Sequence, residues 1–501
     1  FQLCSKMSRT ALLDFSDTGL SGCEQFALCT SITAESNSRR MVSNLFQSHP
    51  APDSKELVHT ATAMPTLAFA VRRRDPELVG PAALTPRETK RLSEIDDQDT
   101  LRGHVSFALI YRARVMDDDD VAPVHPAGVI RRALGEALVH YYPLAGRLRE
   151  VEGRKLVVDC TGEGVMFVEA DADVRLEELQ AAGLRPPFPC MDQLLFDVEG
   201  SSGVLNCPLL LIQVTRLLCG GFIFALRLNH TMCDAIGIAQ FMNAVAELAR
   251  GLSAPTVAPA WSRELLEARS PPMPSFPHSE FDLIPPPAPP AGDMVMRSFT
   301  FGPADLAAIK KHLPPLVRDK ATTFEALAAY LWRARTAALE VPLGEEARLV
   351  IIANFRAFVE LGLPDGYYGN ACVPLAALAD VAALRGGGSL ADAVALVRRA
   401  KAAVTAEYVR STVDVLVLRG RPFLALQNLF VVSDNRHAGF HRVDFGWGEP
   451  VHGGPADTVF GVTFFVPVKD RDGEDAVAVP IVLPRPAMER FAAEMERLCK
   501  A

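Results

Sequence analysis

Gly221-Phe222-Ile223-Phe224-Ala225-Leu226-Arg227-Leu228-Asn229 is a nearly unbroken apolar run, and His230-Thr231-Met232-Cys233-Asp234 follows it directly. The run predicts a buried strand. Beyond Asp234, apolar residues recur at Ile238, Phe241, Met242, Val245 and Leu248, the spacing of an amphipathic helix that Asp234 opens. An imidazole at the end of a buried strand is placed to act as a general base, and an aspartate four residues on is placed to hold the turn. Alone the pattern is weak, because a His-x-x-x-Asp match is expected by chance about once in two chains of this length and composition. Its plain structural reading is a satisfied histidine followed by a helix-capping aspartate. A nucleophilic Cys233 is disfavoured, since the carboxylate of Asp234 beside it raises a thiol pKa.

The 501 residues are 49% hydrophobic and 22% charged, an ordinary globular composition with room for two cores. The net charge of −9 and the lack of a basic tract argue against nucleic-acid binding. An anionic ligand would have to be met by a local positive pocket. Ten cysteines are scattered without a Cys-x-x-Cys pair or zinc spacing, so no metal site is expected. Their apolar flanks fit reduced core residues of a cytoplasmic protein. No apolar run reaches the ~20 residues needed to span a bilayer.

Residues 1–63 are rich in Ser and Thr, lack periodicity and read as a disordered or spurious extension, with patterning starting after Met64. From there, Val105–Tyr111 predicts a strand and Pro126–His140 a helix, followed by strands at Lys155–Asp159, Val165–Glu169, Leu209–Thr215 and Phe222–Leu228. The run Asp117–Asp120 reads as a solvated loop. Prolines crowd residues 254–292, and Pro271, Pro272, Pro274, Pro277, Pro285, Pro286 and Pro287 exclude a long helix or central strand there. Residues 271–292 are therefore read as a crossover between a domain at 64–270 and a second at 293–501. The second half mixes strands and helices in the segments Met294–Phe301, Phe324–Leu339, Arg348–Asn354, Leu390–Thr412, Leu426–Val432, Gly461–Val468, Ala476–Leu483 and Pro486–Leu498. Thr322-x-x-Glu325 is a capping box for the helix that Phe324 begins.

Asp444-Phe445-Gly446-Trp447-Gly448 is the second informative motif, with two glycines forcing a tight turn around a tryptophan. A kinase reading of Asp-Phe-Gly fails for want of a Gly-x-Gly-x-x-Gly loop and a His-Arg-Asp loop, and no Gly-x-Ser-x-Gly elbow supports a serine hydrolase. The two motifs, in this order and at this separation, resemble the plant BAHD acyltransferases. Tyr141–Arg147, Asp159–Val165, Thr322–Glu325, Asn354–Arg356, Gly366–Asn370 and Val432–Asp434 extend the resemblance over nearly all of residues 66–498. Asp75–Val79, Ile95–Asp99 and Trp261–Leu266 look like the alcohol acyltransferase branch, which includes benzyl alcohol benzoyltransferases.

The resemblance implies an α/β fold of two chloramphenicol-acetyltransferase-like domains, each a mixed sheet with flanking helices, with a solvent channel between them. Segment 444–462 is expected to return to the first domain. It also implies a monomer with no permanent cofactor, using acyl-CoA as co-substrate to acylate a small alcohol. Its alternatives are a hydroxycinnamoyl-CoA transferase of phenolic or cell-wall acceptors, or a weakly active homologue with a binding role. His230 matches the family's general base. Asp234 is expected to brace the turn by pairing with Arg356, rather than to complete a triad. Trp447 is a candidate for oxyanion stabilisation, and Asp444 for a salt bridge with Arg147. Thr322 and Thr323 are candidates for meeting a CoA phosphate at a helix N-terminus. The chain departs from the branch after Ala456, where several residues of a glycine-rich loop are missing.

Overall fold

The computed structural model describes residues 67–500 apart from 115–124, 198–202, 289, 291 and 471. The expectations for residues 1–63 and for Asp117–Asp120 lie outside the described residues. In the first half the strands are β1 (Val71–Arg73), β2 (Glu77–Val79), β3 (Thr89–Arg91), β4 (His104–Tyr111), β5 (Arg147–Val151), β6 (Lys155–Asp159), β7 (Val165–Ala172), β8 (Leu210–Arg216) and β9 (Phe222–Asn229). In the second half they are β10 (Met294–Phe301), β11 (Glu346–Asn354), β12 (Cys372–Asp380), β13 (Leu429–Asp434), β14 (His452–Pro455), β15 (Val462–Lys469) and β16 (Asp475–Pro484). The longer helices are α1 (Pro126–His140), α2 (Ala235–Ala249), α3 (Pro303–Lys311), α4 (Thr323–Ala338), α5 (Leu390–Ala402), α6 (Ala406–Leu418) and α7 (Arg485–Lys500).

Of the two large sheets, one runs β1-β7-β8-β9-β4-β14, with β2 also on β7, and the other runs β10-β16-β15-β13-β11-β12, while β3-β6-β5 form a small third sheet. Both are mixed: β7 and β8 are parallel, as are β11, β13 and β15, while the remaining pairs are antiparallel. Each sheet has its own core. Ile130, Leu134 and Leu138 of α1 and Phe241 and Val245 of α2 pack on Phe107, Phe224 and Leu226 of the first sheet. Leu327 and Trp332 of α4, Val397 of α5 and Phe491 of α7 pack on Leu349, Val432 and Val479 of the second. The strand β14 lies after Asp444 in the chain yet pairs with β4, Gly454 opposite Ala108, so the second half lends the first sheet an edge.

Two local readings need correction. Leu390–Thr412 is not one element: α5 stops at Ala402, and Thr405 caps a new helix by accepting from the amide of Tyr408 at 3.1 Å. The strand β12 was not anticipated from the sequence, because its alanines and Pro374 argue against a strand. It forms at the sheet edge, where a missing N–H is tolerated.

Among its described residues the proline-rich stretch 254–292, which includes the crossover, carries only short helical turns and one bridge, Ala260 to Tyr367. It is tied down on α6, where the buried carboxylate of Asp414 accepts from the amides of Arg269 and Met273 and from the Arg269 guanidinium.

Candidate active site

The site forms where β9 ends against the junction of β11 and β12. The strand β9 is buried along almost its whole length, and its amide–carbonyl ladder is completed on both sides by β4 and β8. His230 leaves the ladder while its own amide still donates to the Gly103 carbonyl at 2.9 Å. The turn then folds back on itself. Met232 N–H donates to the Asn229 carbonyl, and the Asn229 side chain accepts from the amide and hydroxyl of Thr231.

His230 Nδ1 lies 3.1 Å from the Cys233 carbonyl oxygen. A carbonyl can only accept, so Nδ1 carries the proton and the lone pair of the neutral ring sits on Nε2. Burial lowers the His230 pKa from its ordinary value, against smaller upward pulls from backbone carbonyls and Asp234. The ring is therefore neutral near pH 7, in a residue that is only part-buried. Burial pushes the Cys233 thiol in the opposite direction, well above the thiol range, which removes it as a thiolate nucleophile.

Asp234 faces away from the imidazole. Its Oδ1 accepts from the Gly237 amide and from one Arg356 nitrogen, both at 2.9 Å. Its Oδ2 accepts from the other Arg356 nitrogen at 2.8 Å and from the Ala371 amide at 2.9 Å. Burial raises the carboxyl pKa, but the charge and hydrogen bonds of Arg356 and the two amides outweigh it and hold the group below the carboxylate range. Asp234 is thus at once the N-cap of α2 and half of a bidentate ion pair to the segment after β11. Gly237 permits this approach, since a Cβ there would overlap the Tyr368 carbonyl.

A second buried pair supports the same turn, and sequence reasoning assigned it no role. Asp96 and Arg263 are 0% and 1% exposed and bonded at 2.8 Å. Arg263 also donates to the Met232 carbonyl at 2.8 Å, and its guanidinium lies over the Trp261 ring, 4.6 Å from the centroid. Asn370 donates from its side chain to Asp96 at 2.8 Å and to the His230 carbonyl at 2.9 Å. Asp96, Arg263 and Asn370 lie in three of the stretches that carry the family resemblance, which was the one available signal.

The remaining candidates lie elsewhere. Trp447 packs edge-on against Phe222, with ring centroids 5.4 Å apart, at the start of β9. His230 follows the other end of that strand, about 20–25 Å away at ~3.3 Å per residue, so the indole cannot reach an oxyanion formed beside His230. Asp444 does not pair with Arg147. Its carboxylate accepts from the Gly446 and Gly448 amides at 2.8 Å and closes its own turn, while Arg147 pairs with Glu163. Thr322 caps α4 by accepting from the Glu325 amide, and Glu325 returns the bond, so Thr322 is satisfied by local structure. Thr323 is the first residue of that helix. The shortened segment after Ala456 is a tight turn, closed by the Thr458 hydroxyl donating to the Val462 carbonyl at 2.9 Å.

Comparison with known proteins decides the family, because the model of the Transferase family matches residues 69–498. The chain belongs to the Transferase family, the BAHD acyltransferases. It is 50% identical over 443 residues to benzyl alcohol O-benzoyltransferase from Petunia hybrida, covering 87% of this chain and 95% of that enzyme. It is 46% identical over 441 residues to alcohol acyltransferase 16 from Actinidia chinensis var. chinensis, again covering 87% and 95%. Among solved structures it is similar to vinorine synthase, with a TM-score of 0.67, 22% identity and coverage of 86% of this chain and 98% of that one. This member of the Transferase family is an acyltransferase, and its two mixed sheets with flanking helices share the vinorine synthase fold.

Proposed function

We propose that this chain transfers the acyl group of an acyl-CoA to the hydroxyl of a small alcohol by direct attack. His230 Nε2 takes the hydroxyl proton as the alcohol oxygen bonds to the thioester carbonyl carbon. The carbon–sulfur bond then breaks, and the imidazolium passes that proton to the departing thiolate, giving the ester, free CoA and neutral His230. No acyl-enzyme forms and no side-chain nucleophile is required. The observation that carries this reading is the Nδ1 contact to the Cys233 carbonyl, which commits the ring of this part-buried residue to one tautomer with the base lone pair on Nε2. Asp234–Arg356 and Asp96–Arg263–Asn370 act as positioning groups for the turn that holds it.

The acyl-CoA phosphates are assigned to the N-terminal end of α4, where Thr322 and Thr323 lie. Glu325 there is neutralised by Arg398 and Lys401, both at 3.1 Å, and Lys310, Lys311, Arg318 and Lys320 lie in the chain just before that helix. Identity of 46–50% to alcohol acyltransferases supports an alcohol acceptor over a hydroxycinnamoyl transfer to phenolic or cell-wall acceptors.

The test is purified protein with a panel of acyl-CoAs and alcohols, monitored for free thiol. Thiol release that requires both substrates is the expected result. No release with any pair, from folded protein that binds CoA, would replace this reading with a binding role.

A further inference from the structure

Four arginines are buried among the described residues, and three of them are met by oxygen. Arg147 donates to the Gly146 and Gly164 carbonyls at 2.8 Å, and Arg263 pairs with Asp96 at 2.8 Å. Arg348 donates to the Ser279 carbonyl at 2.6 Å and pairs with Glu346 at 3.0 Å. The fourth, Arg335, is 3% exposed, and its guanidinium has no hydrogen bond or ion pair among the described residues. It lies over two rings instead, Phe430 and Phe460, 5.0 and 5.1 Å from their centroids. The placement follows from α4. Phe324, in the first turn, packs on Phe465 of β15 with ring centroids 5.5 Å apart. Arg335 comes about three turns later on the same helix face. It therefore reaches the start of the same sheet region, Phe430 on β13 and Phe460 just ahead of β15.

An arginine left this way is costly. The rings attract the cation through their faces, and the nearby C-terminal end of α4 favours positive charge. Neither takes up the N–H groups, which burial strips of most of their water. Burial alone pushes the Arg335 pKa down to about 9, with no neighbouring charge acting on it. The N–H edge is nevertheless reachable. Nε of Arg263 and Nε of Arg348 are enclosed without a partner, whereas no nitrogen of Arg335 is enclosed in that way, so its donors face the accessible 3% of the residue. Phe460 beside it is itself only part-buried. Chemistry narrows what can sit there. The planar fork matches a carboxylate through two parallel hydrogen bonds. A single cation without a second positive charge close by balances a monoanion, and falls short of a phosphate dianion. The Phe460 ring offers apolar surface for the body of such an acid.

We propose that Arg335, with Phe460 as an apolar wall, is a binding site for a small organic carboxylate. The site is separate from the one that transfers acyl groups and does not depend on that reading. Arg335 lies about 18 Å from Thr323 along α4 at ~1.5 Å per residue, so the slot and the helix end assigned to the CoA phosphates are different places. The slot abuts the segment after β14, which carries the chain from the edge of the first sheet back to β15 in the second. A bound carboxylate thus fastens a connection between the two halves, and its effect is read as binding and stability.

The experiment is calorimetry and thermal melting of the full chain with sodium benzoate, sodium acetate, sodium phosphate and sodium chloride at equal ionic strength. Wild type, Arg335→Met, Arg335→Lys and Phe460→Ala are compared. Wild type in benzoate at about ten times the measured dissociation constant should melt about 1–3 °C above wild type in chloride. Arg335→Met fills similar space without the charge, so it should keep its fold and bind benzoate at least about tenfold more weakly. Arg335→Lys keeps the charge without the fork and should fall between the two. Phe460→Ala should lose more affinity for benzoate than for acetate. No benzoate binding by wild type, phosphate bound as tightly as benzoate, or an affinity that Arg335→Met leaves unchanged would overturn the site. Should Arg335→Met fail to fold, benzoate affinities unchanged in both Arg335→Lys and Phe460→Ala would overturn it equally.

Discussion

His278 and His230 each have a partner at hydrogen-bonding distance, and only one of the two is fitted for chemistry. His278, on the crossover, places Nε2 2.7 Å from the Ser411 hydroxyl and Nδ1 2.7 Å from the Glu280 carboxylate. Those are the contacts of a Ser-His-Glu triad. Yet His278, Glu280 and Ser411 are 1%, 2% and 0% exposed, and the Ser411 oxygen already accepts from the amides of Ser275 and Phe276. Tyr408 donates to the same Glu280 oxygen at 2.7 Å. This is a clasp that fastens the crossover to α6. Among the described residues His230 bonds neither a hydroxyl nor a carboxylate, its Nε2 lone pair is uncommitted, and the residue is only part-buried. Partial exposure and a free lone pair, rather than a count of triad partners, separate the base from the clasp.

The largest expected effect is on the His230 side. His230→Ala should lower turnover by about 10²–10⁴-fold while CoA affinity, measured by calorimetry, stays within about twofold. Unchanged turnover would put the base elsewhere. His278→Ala should do the reverse, with a loss of about 1–3 kcal/mol of stability from the broken clasp, read as a lower melting temperature, and unaltered turnover per folded molecule. An organophosphonate probe should leave Ser411 unlabelled; labelling would erase the distinction between the two regions.

The pH profile sharpens the contrast further. The folded His230 pKa is lowered, so the base is neutral above it, and kcat/KM should stay level through neutrality and fall only below about pH 6.5. An acid limb centred above 7 would mean that a carboxylate stabilises the imidazolium. Smallest of all, Trp447→Phe should change turnover by no more than about threefold, since it keeps the ring packed on Phe222 and removes an N–H that lies a strand's length from the chemistry.

What the sequence made legible followed from local rules. The strand β9, the turn and α2 are read from an apolar run, a polar break and a capping aspartate, all within thirty residues or so of chain. The Asp234–Arg356 partnership came from family resemblance, because nothing in the spacing of residues 122 apart announces a contact. The same limit explains the misplaced partner of Asp444: glycines at two and four residues on supply its hydrogen bonds, and a distant arginine was never needed. Asp96, Arg263 and Asn370 converge from segments with no common motif, as does Ser411 with the His278–Glu280 segment. Long-range polar convergence is set by sheet topology, and a linear pattern does not encode it.

The central claim is that His230 works as a lone base in a turn braced by Asp234. Asp234→Asn tests it most directly when melting temperature and kcat are measured on the same preparation. Asparagine cannot carry the charge that Arg356 meets, and breaking one side of a buried pair costs about 3–5 kcal/mol. Melting temperature and turnover should fall together. Full stability with turnover reduced about 10⁴-fold, the mark of a histidine held in the wrong tautomer, would contradict it and make Asp234 a triad member.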